Sequence, residues 1–238
     1  MIKLREKVEA NVSSWLRHWE EPKAGRRLRK NLPFVTISRE VGAYGMTIAD
    51  MLAESLRKRE RRRQALWTVF DKELIRKVIE DHGFPEKFEK YFSESSSPLI
   101  DDILSEILGL HPPQETLVHK TSETILHLAR TGYVILVGRG ANIITRKLPN
   151  GLHVRLVGSF EKRVAHMQDY LNLDKKHASD YVVKEERERR DYIKRYFQKD
   201  LDDASLYDIV ANTDTVPLDD VVMIISEMVL KGKRNRGS

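Results

Sequence analysis

Several clusters of residues have the types and spacing of phosphate chemistry. The first is the run Ser38-Arg39-Glu40-Val41-Gly42-Ala43-Tyr44-Gly45-Met46-Thr47. It holds two glycines and a hydroxyl between a short apolar run (Phe34, Val35, Ile37) and an amphipathic stretch. Strand, glycine loop, helix is a layout that aims backbone N–H groups and a helix N-terminus at an anion. Aligned on Gly45, the phosphate-loop pattern G-x-x-x-x-G-K-[ST] puts Glu40 at the first glycine, Met46 at the lysine and Thr47 at the hydroxyl. Ser38, Gly42, Ala43, Tyr44, Gly45, Met46 and Thr47 are the expected lining for a donor's phosphates. Arg39 would supply the cation that Met46 does not, and Thr47 a hydroxyl for a magnesium ion. The competing reading is an ordinary strand-to-helix turn, with Thr47 in its first helical turn.

Gly138-Arg139-Gly140 is the second cluster. An arginine between glycines at the end of a strand is free to fork onto phosphate; the alternative is a turn with a surface arginine. The third is KEERERRDYIKRYFQKD, residues 184–200. There Arg187, Arg190, Lys194 and Arg195 fall roughly on one face of a helix. Glu185–Arg189, Glu186–Arg190 and Asp191–Arg195 are i,i+4 pairs, each worth about 0.2–0.5 kcal/mol. Such a helix is either a salt-laced exposed face or an arginine lid over a transferring phosphoryl group. Asp71 reads as a helix N-cap or as an acid at the same crevice, and the roles are compatible. The histidines show no ligand spacing.

The elements that must position these residues follow from pattern. Strands are expected at 34–38, 65–70, 133–137, 153–158 and 207–213. Helices are expected at 46–58, 71–81, 114–131, 159–170, across most of 172–199 and at 218–230. A further amphipathic stripe, Leu99 to Leu108, and a helix carrying Val8, Val12, Trp15 and Leu16 complete the chain; either could form a homodimer contact or pack within the chain. Alternation of helices with continuously apolar strands implies an α/β fold with a parallel sheet covered on both faces. In such sheets the ligand crevice lies at the carboxyl ends of the strands. The loops at 38–46, 71–73, 138–142, 158–163 and 213–217 should therefore share one edge.

Bulk properties narrow the class. The 238 residues contain no cysteine, so disulfides and thiolate metal sites are excluded. No apolar run reaches membrane-spanning length and the first residues lack an apolar signal core, so a cytoplasmic protein without a membrane partner is expected. The net charge of +6 is concentrated in Arg26–Lys30, Arg57–Arg63, 184–199 and Lys231–Arg236. Solvated helix faces explain these runs more simply than nucleic acid.

In order, ISREVGAYGMTIA, FDKELI, VGRGANII, RRDYIKRYF and DDASLYDIVANTD resemble the cytidylate kinase-like family of P-loop nucleoside monophosphate kinases. The likeness covers roughly residues 33–230. It implies a three-layer P-loop kinase fold with a five-stranded parallel sheet, helices on both faces and a helical lid. It divides the chain into an N-terminal helical extension and basic linker (1–31), a kinase-like domain (32–231) and a basic tail (232–238). Within the domain, 84–113 would be an acceptor-side insertion and 172–199 the lid. It also implies ATP and Mg2+ as cofactors and a nucleoside monophosphate, CMP- or dCMP-like, as acceptor. Arg39, Arg187, Arg190 and Arg195 would serve catalysis. Asp71, Arg139, Gly140 and Arg189 would bind the acceptor. Three positions depart from the family: Met46 stands where relatives carry arginine or lysine, and Val137 and Gly140 where cytidylate kinases carry aspartates. The alternative on the same fold is a non-catalytic nucleotide-binding regulatory protein.

Overall fold

A computed structural model of the chain describes residues 32–59, 67–71 and 117–234. The expected helical extension over 1–31, the helix after Asp71, the insertion at 84–113 and the end of the basic tail lie outside the described residues. The described elements run β1 (Phe34–Arg39), α1 (Gly45–Arg59), β2 (Thr68–Phe70), α2 (Leu117–Thr131), β3 (Val134–Val137), α3 (Ala141–Ile144), β4 (Gly151–Val157), α4 (Phe160–Leu171), α5 (Lys175–Phe197), β5 (Ile209–Asn212) and α6 (Leu218–Arg234).

All four strand pairings are parallel, in the order β2-β3-β1-β4-β5. Every strand therefore ends on one edge, as the sequence pattern requires. Strand alternation divides the core. Phe34, Phe70, Val134 and Leu136 face a cluster built with α2, α3 and the last turns of α5. Val35, Ile37, Ile135, Val137, Val154 and Leu156 face α1 and α6. Burial on both faces is why these strands read as unbroken apolar runs rather than alternating ones. At about 25 cal/mol per Å² of apolar surface removed from water, each fully buried Leu, Ile or Phe contributes about 1.5–3 kcal/mol.

Some boundaries differ from the sequence pattern for local reasons. β4 begins at Gly151, in register with Phe34. A Cβ there would sit 2.5 Å from Phe34 Cζ, so glycine is what lets the two strands meet beside that ring. β5 starts later than expected because Ala204–Leu206 form a 3-10 turn, N-capped by Asp203 through Ser205 N. The one-turn helix α3 has no periodicity to announce it; it grows from the turn at Gly140, whose carbonyl accepts from Ile143 N and Ile144 N.

Candidate active site at the sheet edge

The segment after β1 turns on Gly42 (φ +87°) and Tyr44 (φ +55°) and enters α1 at Gly45. The N–H groups of Gly42, Tyr44, Gly45, Met46 and Thr47 have no protein acceptor among the described residues. Four of them open the first turn of a helix, whose dipole favours negative charge. Met46 is half-buried and packs against the cluster beneath α1 and α6. Thr47 is exposed.

Arg39 is the cation of this loop. Its side chain runs back beneath Gly45 and across to the second glycine turn. A Cβ on Gly45 would lie 2.7 Å from Arg39 Cγ, and one on Gly138 would lie 2.1 Å from Arg39 Nη1. Both glycines thus leave room for the guanidinium as well as for a ligand. Burial, then the neighbouring Arg189, hold Arg39 well below its ordinary pKa; Asp71 works against them, and Arg139 adds to the lowering. A largely buried cation beside two other cations, balanced only in part by Asp71 and Glu185, is an electrostatic setting that favours a bound anion.

Three consecutive residues in the second turn, Gly138, Arg139 and Gly140, have positive φ. Arg139 lies 5.5 Å over the ring of Tyr192 on α5, within cation–π range. Burial raises the Tyr192 pKa, and Arg139 opposes that shift by charge and by a hydrogen bond. Behind the turn, a Cβ on Gly140 would meet Phe197 Cε2 at 2.9 Å and Ile193 Cδ1 at 3.1 Å. The end of α5 is therefore seated directly on this turn.

Helix α5 delivers one arginine of the sequence-predicted lid set inward. Arg189 Nη1 donates to Arg39 O at 3.3 Å, and burial lowers the Arg189 pKa while Glu185 opposes it. Arg190 is half-exposed and pairs with Asp202, whose hydrogen bond raises the Arg190 pKa. Arg187 and Arg195 are exposed; Arg195 lies 5.7 Å over Tyr196. The structure thus gathers Arg39, Arg139 and Arg189, with Asp71 near enough to act on Arg39. It leaves Arg187 and Arg195 on the outer face. Of the three expected i,i+4 pairs, Glu185–Arg189 forms, at 3.9 Å. Glu186 turns to Arg163 instead, and Arg190 to Asp202.

Several residues at the site went unread in the sequence. Arg155, buried on β4, donates to Ser38 Oγ at 3.0 Å and pairs with Asp202 at 2.9 Å. The Tyr207 hydroxyl donates to Leu201 O at 2.9 Å and lies 3.3 Å from Ser38 Oγ. Ser38 thus braces the strand end rather than opening toward the loop. Arg163, on the first turn of α4, pairs with Glu40 at 3.3 Å and with Glu186. The one available signal was Arg155 inside the apolar run HVRLV; its partners Ser38 and Asp202 stand 47 or more residues away and leave no local trace.

These residues suit a chain of phosphates: unused amides, a helix N-terminus and three converging guanidiniums. For a divalent cation they offer the Thr47 hydroxyl. No group of three or more His, Asp or Glu able to hold a metal occurs among the described residues, and no described helix is long and apolar enough to cross a membrane.

The profile of the cytidylate kinase-like family matches residues 34–215, from the first residue of β1 to the turn after β5. The chain belongs to this family. Comparison with curated proteins gives no match. Among solved structures, an uncharacterised protein from Eubacterium ventriosum is similar in fold, with a TM-score of 0.65 at 20% identity over 84% of this chain and 99% of that one. Shikimate kinase from Bacteroides thetaiotaomicron aligns with a TM-score of 0.43 at 11% identity, over 83% of this chain and 98% of that one. Shikimate kinase from Acinetobacter baumannii, in complex with shikimate, aligns at 0.41 and 15% identity, over 88% and 97%. For a cytidylate kinase-like chain, phosphoryl transfer is the general chemistry, and the three-layer parallel fold is the one expected of it.

Proposed function

We propose that the protein transfers the terminal phosphoryl group of ATP to a nucleoside monophosphate, with a CMP- or dCMP-like acceptor on family grounds. The observation that carries this reading is the run of unused N–H groups at Gly42 and Tyr44–Thr47, set on the same strand edge as Arg39, Arg139 and Arg189. Bound together, ATP and Mg2+ supply the phosphoryl group and neutralise part of its charge. The loop amides would hold the donor phosphates, and Thr47 Oγ1 would be the metal's protein ligand. Arg139, steadied on Tyr192, would hold the acceptor phosphate. Arg39 and Arg189 would place positive charge between the two, where charge develops on the transferred group. Positioning and neutralisation are the main demands of this chemistry. An acceptor phosphate is already anionic and needs no side-chain base. A coupled assay over the common nucleoside monophosphates tests this. The expected outcome is one preferred acceptor and a loss of at least tenfold in Arg189→Gln. No turnover above that variant with any acceptor overturns the proposal.

A second reading, nucleotide binding without turnover, is favoured by Met46. The lysine position of the loop carries a side chain that packs into the core. It predicts thermal stabilisation by ATP together with no product from any acceptor. Absence of nucleotide binding removes it.

A further inference from the structure

The loop after β1 is held from outside by α4, and the atoms used for this are its carbonyl oxygens. Arg163 Nη1 donates to Val41 O at 3.0 Å, and His166 Nδ1 lies 2.8 Å from Gly42 O. The Tyr44 ring stacks on His166, with centroids 3.8 Å apart and planes 18° from parallel. A Cβ on Gly42 would lie 2.5 Å from Arg163 O, so glycine is what lets the loop lie this close to α4. Besides these bonds, the Arg163–Glu40 ion pair and the Val41 N–H donated to Glu186, the contact is apolar: Val41 shares a cluster with Val164 and Met167 of α4 and with Ala178 and Val182 of α5.

The described peptide bonds are trans. In a trans peptide the C=O and the following N–H point in opposite directions. A carbonyl fixed toward α4 therefore turns the next N–H away from α4. For Val41 O that amide is Gly42 N–H, one of the unused donors of the loop. For Gly42 O it is Ala43 N–H, which closes the turn onto Glu40 O at 3.3 Å.

We infer that Arg163 and His166 are positioning residues of the anion cradle: by taking the Val41 carbonyl Arg163 sets the plane whose Gly42 N–H receives phosphate, and by taking the Gly42 carbonyl His166 holds the Ala43 turn that leads into the Tyr44–Thr47 amides. This rests on reading loop 40–47 as an anion cradle, and it does not depend on turnover. Neither residue is among those matched to the family's motifs, and each acts through a loop carbonyl. Their contribution is pre-organisation. Peptides already turned do not have to reorient when the anion arrives.

His166 gives the cleaner test, because it is half-exposed and its ring can be replaced without opening the core. The full-length protein is titrated calorimetrically with inorganic tripolyphosphate, a probe without a base. His166→Phe keeps a ring on Tyr44 and removes the hydrogen bond; it is expected to weaken tripolyphosphate about fivefold, the effect of one hydrogen bond, with the thermal midpoint of the free protein lowered by no more than about 4 °C. His166→Asn loses the stack but places an amide N–H near the Nδ1 position, and should restore affinity to within about twofold of wild type. Equal affinity of His166→Phe and wild type overturns the inference, as does equal weakening by both variants. Wild-type protein that ignores tripolyphosphate overturns it too. The fivefold loss and its rescue, in a protein that phosphorylates no acceptor, would remove the kinase reading and leave this inference standing.

Discussion

The two glycine turns of the site are held in opposite ways. The loop after β1 is tied down by side chains from distant elements: Arg163, His166 and Glu186, which accepts from Val41 N at 3.3 Å. The turn after β3 is closed by backbone bonds, one to β1 and one within the turn. Gly138 N donates to Ile37 O, and Ala141 N donates to Gly138 O; Ile193 and Phe197 press on its Gly140. The first loop can thus sense α4 and α5, whereas the second is part of the body. A site that must both admit a ligand and aim charge at it gains from one adjustable wall and one fixed wall.

The largest test of this contrast removes the outside tie. Arg163→Leu leaves the Glu40 and Glu186 carboxylates, 18% and 19% exposed, facing each other without their cation. A loss of about 3 kcal/mol is expected, as for breaking a buried ion pair from one side, read as a lower urea midpoint. A loss below about 1 kcal/mol would mean that the loop supports itself as the Gly138 turn does.

Next is the fixed wall. Gly140→Ala puts a Cβ on a residue at φ +72° against Phe197. Backbone strain and overpacking together should cost about 2 kcal/mol, with the loop after β1 unaffected in limited proteolysis. A neutral substitution would show that α5 is not seated there.

A smaller effect separates the two faces of α5. Arg189→Met should weaken ADP about tenfold, the loss of one charge-assisted contact. Arg187→Met should change affinity by less than twofold. Equal losses from both would return Arg187 to the catalytic role that the family resemblance implies for it.

The last test concerns pH and the body under the fixed wall. Burial, aided by the charge of Arg130, lowers His127 on α2 from 6.5 to about 4. Between these values the unfolded chain binds more protons than the folded one, so stability rises with pH and is lost as pH falls from about 6.5 toward 4. Denaturation midpoints at pH 7, 6 and 5 should fall accordingly, by less than one proton per molecule. His127→Leu should flatten that part of the profile.

The sheet was legible because its signal is local. The short apolar stretches at 34–37, broken only by Thr36, and at 133–137 read as strands buried on both faces or as short core helices, and the flanking glycines decide between them. The two glycine turns were legible for the same reason. What stayed hidden is pairing at long range. The i,i+4 rule assigns Glu186 to Arg190; the folded chain gives Glu186 to the buried Arg163, a pair that outweighs a surface pair worth a few tenths of a kcal/mol, and Arg190 to Asp202, which Arg155 already holds in place. Arg189, given to the acceptor by the family resemblance alone, is the one aimed inward, because Val182, Ile193 and Phe197 fix the rotation of α5 by burial.

The seat of Phe197 on Gly140 gives α5 a fulcrum. Its 23 residues make a rod about 34 Å long. Pinned at the Phe197 end, a tilt of about 10° carries Lys175 through about 6 Å while Ile193 hardly moves. Arg189 lies close to the pivot and Glu186 and Val182 farther out. The same tilt would move Val182, which packs on Val41, through about 4 Å and the Arg189 backbone through about 2 Å, so the grip on the loop shifts roughly twice as far as the anchor of the inward guanidinium.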